Sequence, residues 1–101
     1  MTSRLMDTVI TLTAEQTIQQ APALQQQLAR ALLQEHAIIL ELSQVTEIDC
    51  AAVQILIWLI RKSQQQNLPL ALRHPSPAIR DFVSLLGLTE LQLALGQAHE
   101  S

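Results

Sequence analysis

The sequence predicts an α/β fold, because short apolar runs alternate with segments of helical periodicity. The runs Ala37 to Leu42 and Leu68 to Leu72 are short, apolar and bounded by polar residues, as buried strands are. From Ile79 to Leu86, apolar residues recur every three or four positions, which is typical of one face of a helix. Strands that alternate with helices favour a mostly parallel sheet joined by right-handed crossovers.

The elements in the first third of the chain have local signals of their own. Asp7 to Leu12 is rich in β-branched residues and predicts the first strand. A bend or bulge is expected from Thr13 to Thr17, and Thr17-Ile18 is a candidate for a short second strand. Ala21-Pro22 opens the first helix, because proline is accepted in the first helical turn.

The two later helices are predicted from their capping residues. Asp49 is a good N-cap for a second helix from Cys50 to about Gln66, since a carboxylate can accept hydrogen bonds from the first free backbone N–H groups. Ser76 can cap a third helix, and Gly87 can end it. The segment from Leu88 to Leu95 is compatible with either a final strand or a short helix.

Length and composition indicate one domain with an aliphatic core. The chain has 101 residues, of which 49% are hydrophobic and only 2% aromatic. We expect a single domain over residues 1–101, with a core from about residue 7 to 95 and flexible termini. One cysteine and no recognisable signal peptide favour a cytoplasmic location.

Charge and hydropathy argue against nucleic-acid binding and membrane insertion. The net charge is −3, whereas nucleic-acid binders usually carry a basic patch. The adjacent pair Arg61-Lys62 is interpreted as a solvated helix face. The longest apolar stretch without a charge runs from Cys50 to Ile60, which is shorter than the roughly 20 residues that span a bilayer.

No pattern in the sequence indicates an enzyme, a cofactor or a metal site. His36, His74 and His99 are far apart, and a metal needs three or four converging ligands. The chain has two glycines and no glycine-rich phosphate loop. Cys50 is the one candidate nucleophile. It is either a redox-sensitive or modifiable thiol at a helix start, or, as we prefer, a small residue that fills a tight position.

The second helix is apolar on nearly all sides. From Val53 to Ile60 only Gln54 is polar, and a helix on a sheet has one side to bury well. Two interpretations remain open: the excess apolar surface binds a protein partner or a second copy of the chain in a homodimer, or flanking helices cover it.

The order and spacing of two motifs resemble those of STAS domains, the anti-sigma factor antagonist type of bacterial regulator. Leu42 to Gln54 is similar to the family's strand followed by hydrophobic-Asp-Ser/Thr-x-Gly-Leu at the start of the second helix. Pro75 to Arg80, followed by Leu85 to Leu88, is similar to the family's Ser-Pro-x-hydrophobic-Arg helix and its Gly-Leu end. The resemblance covers the chain from about Asp7 to Leu93.

The resemblance implies a four- to five-stranded mixed sheet with helices mainly on one face, and a non-enzymatic role in partner switching. The partner would be an anti-sigma factor of the serine-kinase type or another signalling kinase. Other STAS proteins that look similar belong to chemotaxis-type signalling systems, or are accessory subunits of lipid-transport ABC transporters that dock their second helix on the ATPase. The residues expected to contact a partner are Glu15, Gln16, Thr17, Asp49, Cys50, Ala51, Ala52, Val53, Gln54 and Ile57.

The sequence departs from the family pattern at the position that is phosphorylated in sigma-regulating members. Cys50 stands where those members have Ser or Thr, Ala52 replaces the usual Gly, and Thr17 stands where many have Asp. A serine kinase does not ordinarily phosphorylate cysteine. We therefore expect docking at the start of the second helix without a phosphoserine switch.

Overall fold

A computed structural model of the chain describes residues 7–100, so the expectation of flexible termini falls largely on residues outside the described range. The elements in chain order are β1 (Asp7–Thr11), β2 (Glu15–Gln16), α1 (Ala21–Leu33), β3 (Ala37–Glu41), β4 (Glu47–Ile48), α2 (Cys50–Gln65), β5 (Leu70–Arg73), α3 (Pro77–Leu86) and α4 (Thr89–Glu100). No helix among the described residues is long and apolar enough to cross a membrane.

The predicted α/β class is confirmed. The described residues form a three-stranded sheet in the order β1-β3-β5 and a separate two-stranded ribbon of β2 and β4. Five strands agree with the expected number, but every pair within residues 7–100 is parallel, where a mixed sheet was expected. The physical reason is that α1 and α2 each return the chain to the edge where the preceding strand began, so the next strand runs in the same direction.

The capping signals are confirmed. The Asp49 side chain caps α2, and the Ser76 hydroxyl accepts a hydrogen bond from the backbone N–H of Ile79 at the start of α3. Gly87 ends α3 in the left-handed conformation with φ of 65°. Asn67, just past the end of α2, is also left-handed. The open alternative for the last segment is decided in favour of helix, since α4 begins at Thr89.

The second strand was predicted at the wrong residues. The strand is Glu15–Gln16, not Thr17-Ile18. Thr17 cannot extend it, because its backbone N–H is held by the side chain of Gln20 at 2.9 Å. The N–H of Ile18 donates instead to the carboxylate of Asp49, so neither residue donates to a neighbouring strand.

The core lies between one face of the three-stranded sheet and the helices. Ile10, Leu40 and Leu72 form one row across the three strands, and all are buried. Val9 is in the adjacent row, whose side chains point to the opposite face of the sheet, and it is 61% exposed. Helix α2 packs against both α1 and α4, and α4 also contacts β5. This one-sided arrangement leaves the β2-β4 ribbon and the start of α2 at the carboxyl edge of the sheet.

Candidate functional site

The Asp49 carboxylate joins the start of α2 to the segment that follows β2. Its Oδ1 accepts hydrogen bonds from the backbone N–H groups of Ala51 at 3.0 Å and Ala52 at 3.3 Å. Its Oδ2 accepts from the N–H of Ile18 at 2.8 Å. One side chain therefore caps the helix and fixes a residue 31 positions earlier in the chain.

The β2-β4 ribbon holds the same two segments together through the backbone. The Ala14 carbonyl accepts from the N–H groups of Thr46 at 2.8 Å and Glu47 at 3.0 Å. The N–H of Asp49 donates to the Gln16 carbonyl at 3.2 Å. The structure thus brings the two groups of predicted contact residues, Glu15 to Thr17 and the start of α2, onto one side of the molecule.

The predicted contact residues differ in their exposure. Cys50, Gln54 and Glu15 are exposed, whereas Ala51, Asp49, Thr17 and Ile57 are half-buried. Ala52, Val53 and Gln16 are buried, with at most 5% of each residue accessible. These three can position a partner-binding surface but present almost no side-chain area to a partner.

Two of the polar residues are engaged locally. The Gln16 amide donates to the carbonyl and the hydroxyl oxygen of Thr13 at 3.2 and 3.1 Å. The Thr17 hydroxyl donates to Gln20 Oε1 at 2.7 Å. The first interaction stiffens the turn that leads into β2, and the second stiffens the bend between β2 and α1. Both engage hydrogen-bonding groups that a partner would otherwise use.

The β2-β4 ribbon carries one exposed acidic residue on each strand. Glu15 and Glu47 lie opposite each other in the ribbon register, and both are exposed. Facing residues on adjacent strands are close enough for their like charges to repel. A complementary partner would relieve this repulsion by bringing a positive charge to the edge of the surface.

Sequence reasoning missed two parts of this surface. Ile18 is 68% exposed although its backbone is fixed by Asp49. Along the outer face of α2, an open groove of about 460 Å³ is lined by Gln54, Ile57, Trp58, Arg61, Lys62 and Gln65. The helical spacing of these residues was a signal available in the sequence, but which face α1 and α4 leave uncovered depends on the tertiary packing.

The titratable groups offer little chemistry. Among the described residues no group of three or more His, Cys, Asp or Glu side chains could hold a metal ion. Cys50 is a free, exposed cysteine. At the end of β3, hydrogen bonds from Ser43 and then His74 hold the pKa of Glu41 below its usual 4.5. The His74 Nδ1 lies 3.0 Å from that carboxylate and links the ends of β3 and β5.

Comparison with known proteins identifies the family. A family model described as "Mlab, STAS domain" matches residues 2–95, and the chain therefore belongs to the STAS domain family. No curated protein matches the chain significantly. A solved structure of the Bacillus cell fate determinant SpoIIAA in its phosphorylated form is similar, with a TM-score of 0.66 and 21% identity over 83% of this chain and 78% of that one. At this identity the likeness shows a shared STAS fold.

Proposed function

We propose that this STAS domain is a non-enzymatic regulatory module of the anti-sigma factor antagonist type, which binds a signalling kinase through the start of α2. We define the docking surface as Ile18, Cys50, Ala51 and Gln54. The observation that carries the proposal is the double use of Asp49. Its carboxylate caps α2 and fixes the backbone of Ile18, so apolar and small side chains from two distant segments are held in one preorganised surface. Preorganisation lowers the entropy lost on binding.

The residue at the phospho-acceptor position supports docking that phosphorylation does not control. Cys50 is exposed at the first position of α2, but its thiol is not a substrate for an ordinary serine kinase. A phosphate would add up to two negative charges beside Glu15 and Glu47. Without that modification, the charge of the surface stays constant and association is governed by partner availability.

A second candidate function is that of an accessory subunit of a lipid-transport ABC transporter. STAS domains of that kind dock their second helix on the transporter ATPase. The groove on the outer face of α2, which shares Gln54 with the docking surface and continues along the helix, is the specific observation in favour of this role. Both candidates place the partner on α2, and they differ in the class of partner.

Cys50 provides a direct test, because it is the single cysteine of the chain. A thiol-directed photo-crosslinker attached to Cys50 is irradiated with purified candidate partners, namely a kinase of the anti-sigma type and a transporter ATPase from the same organism. The matched control is Cys50→Ser with Gln34→Cys. Gln34 is exposed at the far end of α1, roughly 20 Å along that helix from its start near Ile18.

We expect a covalent adduct from Cys50 with one partner and none from position 34. A kinase adduct supports the first function, and an ATPase adduct supports the second. Equal yields from both positions, or no adduct from Cys50 with either partner, would refute the docking proposal. Unlabelled Cys50→Ser should bind normally in calorimetry. Ala51→Glu should weaken binding about tenfold or more, because it buries a charge in the interface.

A further inference from the structure

The outer face of α2 carries an apolar floor with a polar rim. Ile57 and Trp58 remain half-buried after α1 and α4 have packed against the helix. Gln54, one turn earlier, and Gln65, two turns later, lie on the same stripe of the helix. The groove that these residues line with Arg61 and Lys62 has a volume of about 460 Å³. We call it the α2 groove.

The charge around the α2 groove is opposite to that of the whole chain. Arg61 and Lys62 are exposed on the second half of the helix. Neither α1 nor α2 contains an aspartate or a glutamate, although the chain carries nine acidic residues and has a net charge of −3. Glu15 and Glu47 precede the other end of α2. Both charged residues that line the groove are therefore basic, and α1 and α2 themselves add no carboxylate beside them.

We propose that the α2 groove binds an acidic amphipathic helix of a protein partner. Apolar side chains of that helix would cover Ile57 and Trp58, and its carboxylates would face the guanidinium of Arg61 and the ammonium of Lys62. Tryptophan and arginine are enriched among residues that dominate binding energy, and apolar anchors at helical spacing fit a groove of this shape. The inference rests on the proposed docking through α2 and adds the chemistry of the docked segment.

A membrane carrying anionic lipids is the competing source of an apolar, negative surface. Basic segments that bind such membranes usually cluster four to eight lysines or arginines, whereas the groove has two. The acidic residues Glu15 and Glu47 also lie on the side of the molecule where α2 begins, and an anionic surface would repel them. The small number of basic residues and the acidic pair near the start of α2 favour a protein segment over a membrane. A protein segment can place its carboxylates only beside Arg61 and Lys62 and keep them away from Glu15 and Glu47.

Trp58 gives a direct readout, because it is the only tryptophan and the chain has no tyrosine. The probe is a synthetic amphipathic peptide without aromatic residues, as long as the 16-residue α2 and carrying leucine on one face and glutamate beside it. The matched peptide replaces each glutamate with lysine. Each peptide is titrated into the full chain while the emission of Trp58 is recorded at low and at physiological salt. Phosphatidylglycerol vesicles are tested in the same way.

We expect the acidic peptide to shift the Trp58 emission saturably to shorter wavelength, with weaker binding at higher salt. The lysine peptide should bind about tenfold more weakly. Lys62→Glu should weaken binding of the acidic peptide about fivefold. Arg80→Glu, the same charge change at an exposed position on α3, should leave it unchanged.

The proposal is overturned if the two peptides bind equally, if neither shifts the emission, or if Lys62→Glu and Arg80→Glu have the same effect. A saturable shift with vesicles but not with the acidic peptide would assign the groove to a membrane and also overturn it. These outcomes are independent of crosslinking from Cys50. If Cys50 forms an adduct but neither peptide shifts the Trp58 emission, this inference is refuted and the proposed docking remains supported.

Discussion

Replacement of Asp49 by alanine tests whether one carboxylate organises the docking surface. The change removes the N-cap of α2, which accepts from the N–H groups of Ala51 and Ala52. It also removes the 2.8 Å hydrogen bond from Ile18 that joins two distant segments. Stability and partner binding should both fall, because the same side chain serves both.

The size of the effect follows from these contacts. Loss of an N-cap costs about 1 kcal/mol, and loss of an intramolecular hydrogen bond costs about 1 kcal/mol. Asp49→Ala should therefore lower the free energy of unfolding by about 2 kcal/mol, which corresponds to a decrease in Tm of roughly 10 °C for a domain of this size. Asp49→Asn should cost about 1 kcal/mol, because the amide oxygen can still cap the helix while the second acceptor is lost.

Ser76→Ala is the matched control. The Ser76 hydroxyl caps α3 by accepting from Ile79 but joins no distant segment, so its loss should cost about 1 kcal/mol. The assay is urea unfolding, followed by circular dichroism and by Trp58 emission. If Asp49→Ala is no more destabilising than Ser76→Ala, the contact with Ile18 contributes nothing to stability, and the preorganised surface loses its physical basis.

Three further predictions concern stability. Leu59→Ala should cost about 3 kcal/mol in urea unfolding, because Leu59 is completely buried and leaves a cavity; a cost below that of Ser76→Ala would contradict the described core. Gly87→Ala should cost about 1 kcal/mol from its left-handed φ alone, since an added Cβ meets no atom within 4 Å, and an unchanged midpoint would argue against that conformation. The folded state lowers the pKa of Glu41, so its carboxylate stabilises the fold above about pH 4.5, and this contribution is lost as pH falls through the lowered pKa. Glu41→Gln should thus destabilise by less than about 1 kcal/mol at neutral pH and not at all in acid, where a cost that persists would disprove the assignment.

The helix ends of the fold were predictable because their causes are local. In their role as helix caps, Asp49, Ser76 and Gly87 contact backbone groups within four residues of themselves, and the structure places each cap as predicted. The strand at Glu15–Gln16 was misplaced for the opposite reason. Its pairing depends on Glu47 and Ile48, more than 30 residues later, and no local preference of Thr17 or Ile18 reveals that contact.

The candidate site, like the fold, could be predicted from the sequence only in part. The sequence indicated the start of α2 and the Glu15 to Thr17 segment, but it gave no means of separating surface residues from buried ones among neighbours of similar size. Ala51 is half-buried and Ala52 is buried, although the two are adjacent and identical. Only the rotation of α2 relative to the sheet decides which alanine a partner can contact.

The α/β class, the first three helices, the caps of α2 and α3 and the family motif could be predicted from the sequence alone, because periodicity and capping are properties of short segments. The last segment could not be assigned to helix or strand in this way. The tertiary structure alone decided that Asp49 reaches Ile18, that the β2-β4 ribbon joins the two halves of the docking surface, and that α1 and α4 leave Ile57 and Trp58 half-exposed. These features depend on which distant segments meet, and therefore on the packing of the whole domain.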